Sequence, residues 1–267
     1  ATHPFSTLAA GCTSPTDCVA KMTLPEKEGQ MTQVENNAFS LAGNSISDVT
    51  KYFIGSVLSG GGGGPNGTAG GSATQWADMT DNFQKYALQT RLGIPLLYGA
   101  DAVHGHNNVY GATLFPHNIG LGAMHDPALI TQAEQVTRDE ALGTGVRWTF
   151  APCLCTPQDI RWGRTYEGFS EVPSDNATDG SAAITGFQGA NGALGTTNIL
   201  ATAKHFISDG HTAWGSGSPY LNEGDARISE QQMDTIDYPP YQAAVANKVG
   251  SVMISYSSWN GTKDHGS

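Results

Sequence analysis

The chain has 267 residues, of which 39% are hydrophobic and 14% charged; 24 Asp and Glu face 13 Lys and Arg, a net charge of −11. With no basic run, this balance argues against nucleic acid, whose affinity comes mainly from cationic contacts to phosphate. No stretch of about 18 apolar residues is present, so no helix spans a membrane, and the length suits one α/β barrel or two small domains.

Low charge, abundant Gly, Ser, Thr and Asn, and a start at Ala1 rather than Met fit a secreted or periplasmic protein without its signal peptide, or a trimmed chain. Of the four cysteines, Cys12 and Cys18 enclose a short loop containing Pro15 and could pair in an oxidising compartment. Cys153 and Cys155 lie two apart, where a disulfide is expected to be strained, so buried thiols are expected instead. A Cys₂ metal site is not expected there without further cysteines. Asn-X-Ser/Thr triplets at Asn66, Asn176 and Asn260 permit glycosylation in a eukaryotic host.

In chain order, a helical pattern after Cys18 leads into a first apolar run, Gln30-Met31-Thr32-Gln33-Val34, and a second candidate strand covers residues 53–58. Gly60 to Gly64 and then Pro65-Asn66-Gly67 read as a flexible surface loop, because a phosphate cradle needs a helix start at once and usually a Gly-Lys-Ser/Thr ending. Trp76, Met79, Phe83, Tyr86 and Ala87 share one helical face, predicting a helix over 73–91. The run 94–100 ends at Asp101. Asp126-Pro127 predicts a capped helix start, followed by Leu129, Ala133 and Val136 on one face. The run 146–152 leads into the loop Arg161-Trp162-Gly163-Arg164, and a helix is expected near 174–187. The run 199–203 stops at Lys204-His205; a helix near 239–248 precedes the run 252–255, which stops at Tyr256.

Short apolar runs separated by helical patterns read as buried parallel strands. The fold class is therefore α/β, a (β/α)8 TIM-like barrel. About six strands are legible where a closed barrel needs eight. One domain is expected over 1–267, the front part of a longer polypeptide, because a six-stranded remnant would expose an edge.

In such a barrel, side chains at the carboxyl ends of the strands converge on one mouth. Asp101, Arg164, Lys204, His205 and Tyr256 would bring an acid, two cations, an imidazole and a phenol together, a set suited to a neutral, hydroxyl-rich ligand. Other readings attach to each residue. Asp101 could be a loop cap, one of Arg161 and Arg164 structural, and Lys204 a Schiff-base lysine. Trp148, Trp162, Trp214 and Trp259 could stack on a ligand or serve the core. His104 and His106 form a His-X-His pair of the kind that binds zinc, with His205 and His211 as further candidates; hydrogen bonding within the loop is the alternative.

The chain resembles glycoside hydrolase family 3, specifically its β-glucosidases and exo-acting β-glucanases. The resemblance is carried by Lys21-Met22-Thr23-Leu24-Pro25-Glu26-Lys27 with Gly29-Gln30-Met31-Thr32-Gln33, by Thr90-Arg91-Leu92-Gly93-Ile94-Pro95, and by Gly99-Ala100-Asp101-Ala102-Val103-His104-Gly105-His106-Asn107-Asn108. It continues through Phe115-Pro116-His117-Asn118, Arg161-Trp162-Gly163-Arg164-Thr165-Tyr166-Glu167, Lys204-His205-Phe206 and Ser255-Tyr256-Ser257-Ser258-Trp259-Asn260-Gly261. The order and spacing of these motifs together are specific. The resemblance implies that Asp101 accepts from the far hydroxyls of a terminal glucose. It implies that Arg164, Lys204 and His205 hold ring hydroxyls and that Tyr256 lies under the sugar. Glu167 would balance Lys204 or Arg164.

Departures are Glu28, Gly168 and Val172. The stretch Ile207-Ser208-Asp209-Gly210-His211 lacks the Asp-Ser-His loop of the family's single-domain N-acetylglucosaminidases, which favours the two-domain glucosidase branch. The resemblance implies a retaining mechanism with an aspartate nucleophile and a glutamate acid/base. Both are expected downstream, so no residue of this chain is assigned either role, and Asp209 and Asp264 stand in the wrong context. The implied partner is a β-glucoside or β-glucan oligosaccharide together with the rest of the polypeptide, with no cofactor. The competing functions are a non-catalytic sugar-binding member of the family and a zinc-dependent barrel hydrolase.

Overall fold

A computed structural model describes residues 12–61, 63–67, 70–192, 194–217 and 223–266. Its frame is a parallel sheet of short strands: β1 (Gln33–Glu35), β2 (Ser56–Ser59), β3 (Leu97–Ala100), β4 (Trp148–Thr149), β5 (Thr202–Phe206) and β6 (Ser251–Ile254). The register sets Val34 beside Val57, Val57 beside Tyr98, and Ala100 beside Thr149. Parallel bridges from Trp148 to Leu200 and from Cys153 to Lys204 join β4 to the β5 segment, and Ala203 of β5 pairs with Val252 of β6. The strands therefore lie in chain order and all end at one edge. Among the described residues no pairing joins β1 to β6. Val252 and Ile254 on β6 stay 44% and 40% exposed.

The strands form because their side chains are swallowed by the core: Val57, Leu96, Tyr98, Ala100, Val146, Ala201 and Ala203 are fully buried. Burying such side chains stabilises the fold by about 1.5–3 kcal/mol for each large aliphatic one. Helices over Ala73–Ala87, Pro127–Gly143, Pro173–Gln188 and Tyr238–Ala246 alternate with the strands. Local chemistry starts them. Ser72 and Gln75 make a reciprocal capping box, and Asp126 accepts from the N–H groups of Ala128 and Leu129 with Pro127 in the first turn.

Several expectations shift. The first strand lies at 33–35 rather than 30–34, because the preceding helix Leu24–Gln30 runs through Gln30 and leaves Met31 81% exposed. The predicted helix over 73–91 stops at Ala87, after which a turn leads to Gly93 with φ +60. β5 starts later than the run 199–203 and carries Lys204 and His205 inside it. Helix Pro127–Gly143 turns a different face inward: Leu129 and Val136 are exposed, while Ile130, Ala133, Glu134, Thr137 and Ala141 are buried. That face has helical spacing, but two of its members are polar.

Two expectations about loops are corrected. The stretch read as a flexible surface loop is partly packed in: of its described residues, Gly63, Gly64 and Pro65 are buried, and the backbone N–H of Gly61 donates to Asp101. Cys153 and Cys155 are joined to each other instead of remaining thiols, and Cys12 is joined to Cys18. Residues two apart in extended chain project to the same face, and the Cys153–Cys155 Cα separation of 5.4 Å lies within the usual disulfide range.

Candidate functional site

Asp101 leaves the carboxyl end of β3 and meets β5 across the sheet. Its Oδ1 lies 3.4 Å from the Nζ of Lys204, and its Oδ2 accepts from Gly61 N–H at 2.9 Å. Lys204 is 4% exposed, so its ammonium is held in a low-dielectric setting with Asp101 as its ion-pair partner. The next side chain along β5 turns elsewhere. His205 is buried, and its Nδ1 lies 2.7 Å from Asp209 Oδ2. A carboxylate only accepts, so Nδ1 carries the proton and Nε2 is the other face of the ring.

Arg164 arrives from the loop after β4. Its Nε and Nη2 donate to the two carboxylate oxygens of Glu167 at 2.7 and 2.8 Å, a two-pronged pair. Burial pushes the Glu167 carboxyl up, but its bonds from Arg164 and the charges of Arg164, Lys204 and His205 outweigh it and hold the group below its ordinary value. That field ties the arginine loop to β5. Glu167 and Lys204 also line one small cavity with Val103, His117, Asn118 and Cys153. His117 lies between His104 (4.1 Å, tilted) and Tyr166 (4.6 Å, edge-on), and burial followed by the nearby His104 holds its imidazole below the ordinary value.

Asp101, Lys204, Arg164 and Glu167 thus gather charges of both signs at the carboxyl edge of the sheet, with His205 turned toward Asp209 beside them. Asp101 reaches Lys204 directly, whereas Arg164 joins through Glu167. Tyr256 follows β6 but stands 63% exposed, with its ring under the Lys263 ammonium at 4.3 Å and beside His265. Arg161 is held by Asp159 and lies over the Trp214 ring at 4.4 Å, apart from the Arg164–Glu167 pair.

The alternative ligands separate. His106 is buried and bonded through Nε2 to Thr144 Oγ1 at 2.8 Å, and burial lowers its pKa to about 4. His104 bonds through Nδ1 to the carbonyl of Phe115, and His211 to Asp237. The His-X-His pair is therefore taken up by structural hydrogen bonds. Trp148 bonds to Thr202 and Ser251, Trp259 bonds to the Ile228 carbonyl, and Trp162 packs on Cys153 and Cys155. A larger cavity of about 450 Å³ lies at the opposite end of the strands, among Leu97, Arg147 and Leu200, away from the polar cluster.

Asp209, set aside as a nucleophile, is the functional neighbour that the sequence hides; its spacing of four from His205 is the available signal. His117 and Asn118 appeared only as part of a motif.

Residues 23–267 match the model of the glycosyl hydrolase family 3 N terminal domain. The lysosomal beta glucosidase of Dictyostelium discoideum is 33% identical over 264 residues, covering 92% of this chain and 31% of that protein. Beta-glucosidase C of Emericella nidulans is 30% identical over 267 residues, covering 92% of this chain and 40% of its own length. The crystal structure of an exo-1,3/1,4-beta-glucanase from a Pseudoalteromonas species superposes with a TM-score of 0.84 at 40% identity, over 94% of this chain and 30% of that one. The chain thus spans well under half the length of these relatives, and it belongs to glycosyl hydrolase family 3.

Proposed function

We propose that these residues are the sugar-gripping part of a retaining, exo-acting β-glucosidase or β-glucan glucohydrolase that releases terminal glucose. The observation that carries this is the Asp101–Lys204 contact between two strands, with the Arg164–Glu167 pair beside it. Asp101 would accept from hydroxyls at the far end of the ring, Arg164, Lys204 and His205 would hold the others, and the exposed Tyr256 would meet the sugar from below. A site built to satisfy each hydroxyl rejects a sugar with one inverted, because a buried polar group is then left unpaired. A relative from Listeria innocua has been crystallised with isofagomine and with glucose.

Cleavage with retention needs a carboxylate nucleophile and a second carboxylic acid that protonates the leaving oxygen and then activates water. In this reading both come from polypeptide beyond these residues, which would also complete a (β/α)8 barrel over the half-exposed Val252 and Ile254 of β6. A secreted or periplasmic setting fits the disulfides and the periplasmic beta-glucosidase among the relatives, that of Salmonella typhimurium.

The test compares the 267 residues alone with the same residues extended by the downstream coding sequence. The short form should leave an aryl β-glucoside intact, and the extended form should cleave it with retained configuration. Turnover by the short form, or an inverted product, overturns the proposal.

A further inference from the structure

Behind the sugar-binding edge, metal-binding side chains gather where sequence reasoning expected none. The sulfurs of Cys153 and Cys155 and a carboxylate oxygen of Asp209 all lie within 4.8 Å of one another, and all three residues are buried. A fourth donor adjoins them: His205 Nδ1 is 4.0 Å from the Cys153 sulfur and 2.7 Å from Asp209 Oδ2. Tetrahedral zinc, with bonds of about 2.3 Å to sulfur and about 2.0–2.2 Å to nitrogen or oxygen, needs neighbouring donors roughly 3.3–3.8 Å apart. The four donors come from the segment after β4, from β5 and from the turn beyond it, all elements fixed by the sheet. Trp162 covers the sulfurs.

We propose that reduction of Cys153–Cys155 opens a Cys₂HisAsp site for a divalent ion of the zinc class. Two-electron reduction by a dithiol breaks the S–S bond, leaves one proton on each sulfur and returns the reductant as its own cyclic disulfide. Uptake of the ion releases both thiol protons, and the neutral His205 ring changes tautomer, its proton moving from Nδ1 to Nε2 so that the Nδ1 lone pair binds the ion. Two thiolates with an imidazole and a carboxylate match zinc and cobalt rather than magnesium or calcium, which prefer all-oxygen sites. The disulfide therefore acts as the gate: oxidised sulfur is no ligand, reduced sulfur is. Any effect on sugar binding rests on the proposed role of His205, whereas metal uptake does not.

The probe is Co²⁺, titrated into protein reduced with a water-soluble phosphine, which takes oxygen from water and leaves no chelating thiol. One equivalent should bind with thiolate charge-transfer absorption and the intense visible bands of tetrahedral cobalt; the oxidised protein should give neither. C155S should abolish the charge-transfer signal of the thiolate pair, and D209N, which keeps both sulfurs, should weaken binding at least about tenfold, each folded by circular dichroism. C12S, which removes the other cysteine pair, should leave the signal intact. Absence of the bands in the reduced protein, their survival in C155S, unchanged affinity in D209N, or their loss in C12S overturns the proposal.

Discussion

Glu167 grips the guanidinium of Arg164 with both carboxylate oxygens, at 2.7 and 2.8 Å, across one turn of 3-10 helix. The pair fixes the planar donor fork in one orientation beside Lys204, which a lone arginine on a loop would not hold. Glu167 is 13% exposed and Arg164 27%, so each depends on the other for compensation.

Replacing Glu167 with Gln should therefore leave a largely buried cation without its counter-charge. Breaking such a pair costs about 3 kcal/mol, the low end for a buried pair because Arg164 keeps some solvent. The Glu167 carboxyl is held below its ordinary value of 4.5. Its contribution is present above that value and is lost as pH falls through the lower, folded one. Thermal melts should show E167Q well below the wild type at about pH 7, with the gap closing in strong acid.

Glu134 presents the opposite sign. It is buried in the helix Pro127–Gly143, its Oε2 has no hydrogen-bond partner, and burial raises its pKa to about 8. The folded chain therefore holds a proton that the unfolded chain releases near 4.5. Stability falls as pH rises from about 4.5 to about 8, by a few kcal/mol in all, and is flat above. Urea melts of E134Q should match the wild type near about pH 4 and exceed it increasingly up to about pH 8; a gap independent of pH would refute the assignment.

Close packing around that same residue predicts a second outcome. A Cβ at Gly186 would come 2.6 Å from the Glu134 Cβ and 2.7 Å from the Thr131 carbonyl oxygen. G186A should force the two helices apart and cost about 1–3 kcal/mol, read as a lowered urea midpoint with an unchanged slope.

Tyr256 separates function from stability. Its side chain is exposed and leans on Lys263 and His265. Y256A should change stability by no more than about 0.5 kcal/mol. In the extended enzyme the same substitution should reduce kcat/KM for an aryl β-glucoside by about tenfold or more, as loss of one good contact does. An unfolded or fully active Y256A would contradict its proposed place under the sugar.

Asp101 offers the complementary case. D101N keeps the shape but removes the charge facing Lys204. Charge-assisted bonds contribute about 1.5–3 kcal/mol, so kcat/KM of the extended enzyme should fall roughly 10- to 100-fold, with the far-ultraviolet circular dichroism spectrum unchanged.

What the sequence determined by itself was whatever depends on neighbours along the chain. The capping of Asp126-Pro127, the apolar runs that become β2 to β6, and the position of Asp101 at the end of β3 are of that kind. Their order and spacing sufficed for the family and for the α/β class. Tertiary structure alone decided what depends on which distant surfaces meet. It drew the glycine loop onto Asp101, placed Asp209 against His205, and joined Cys153 to Cys155. It also turned Glu134 and Thr137 inward in place of Leu129 and Val136. The physical reason is that burial and electrostatic pairing are properties of contacts between remote segments: hydrophobic periodicity says that a face exists, and only packing says which polar groups must share it.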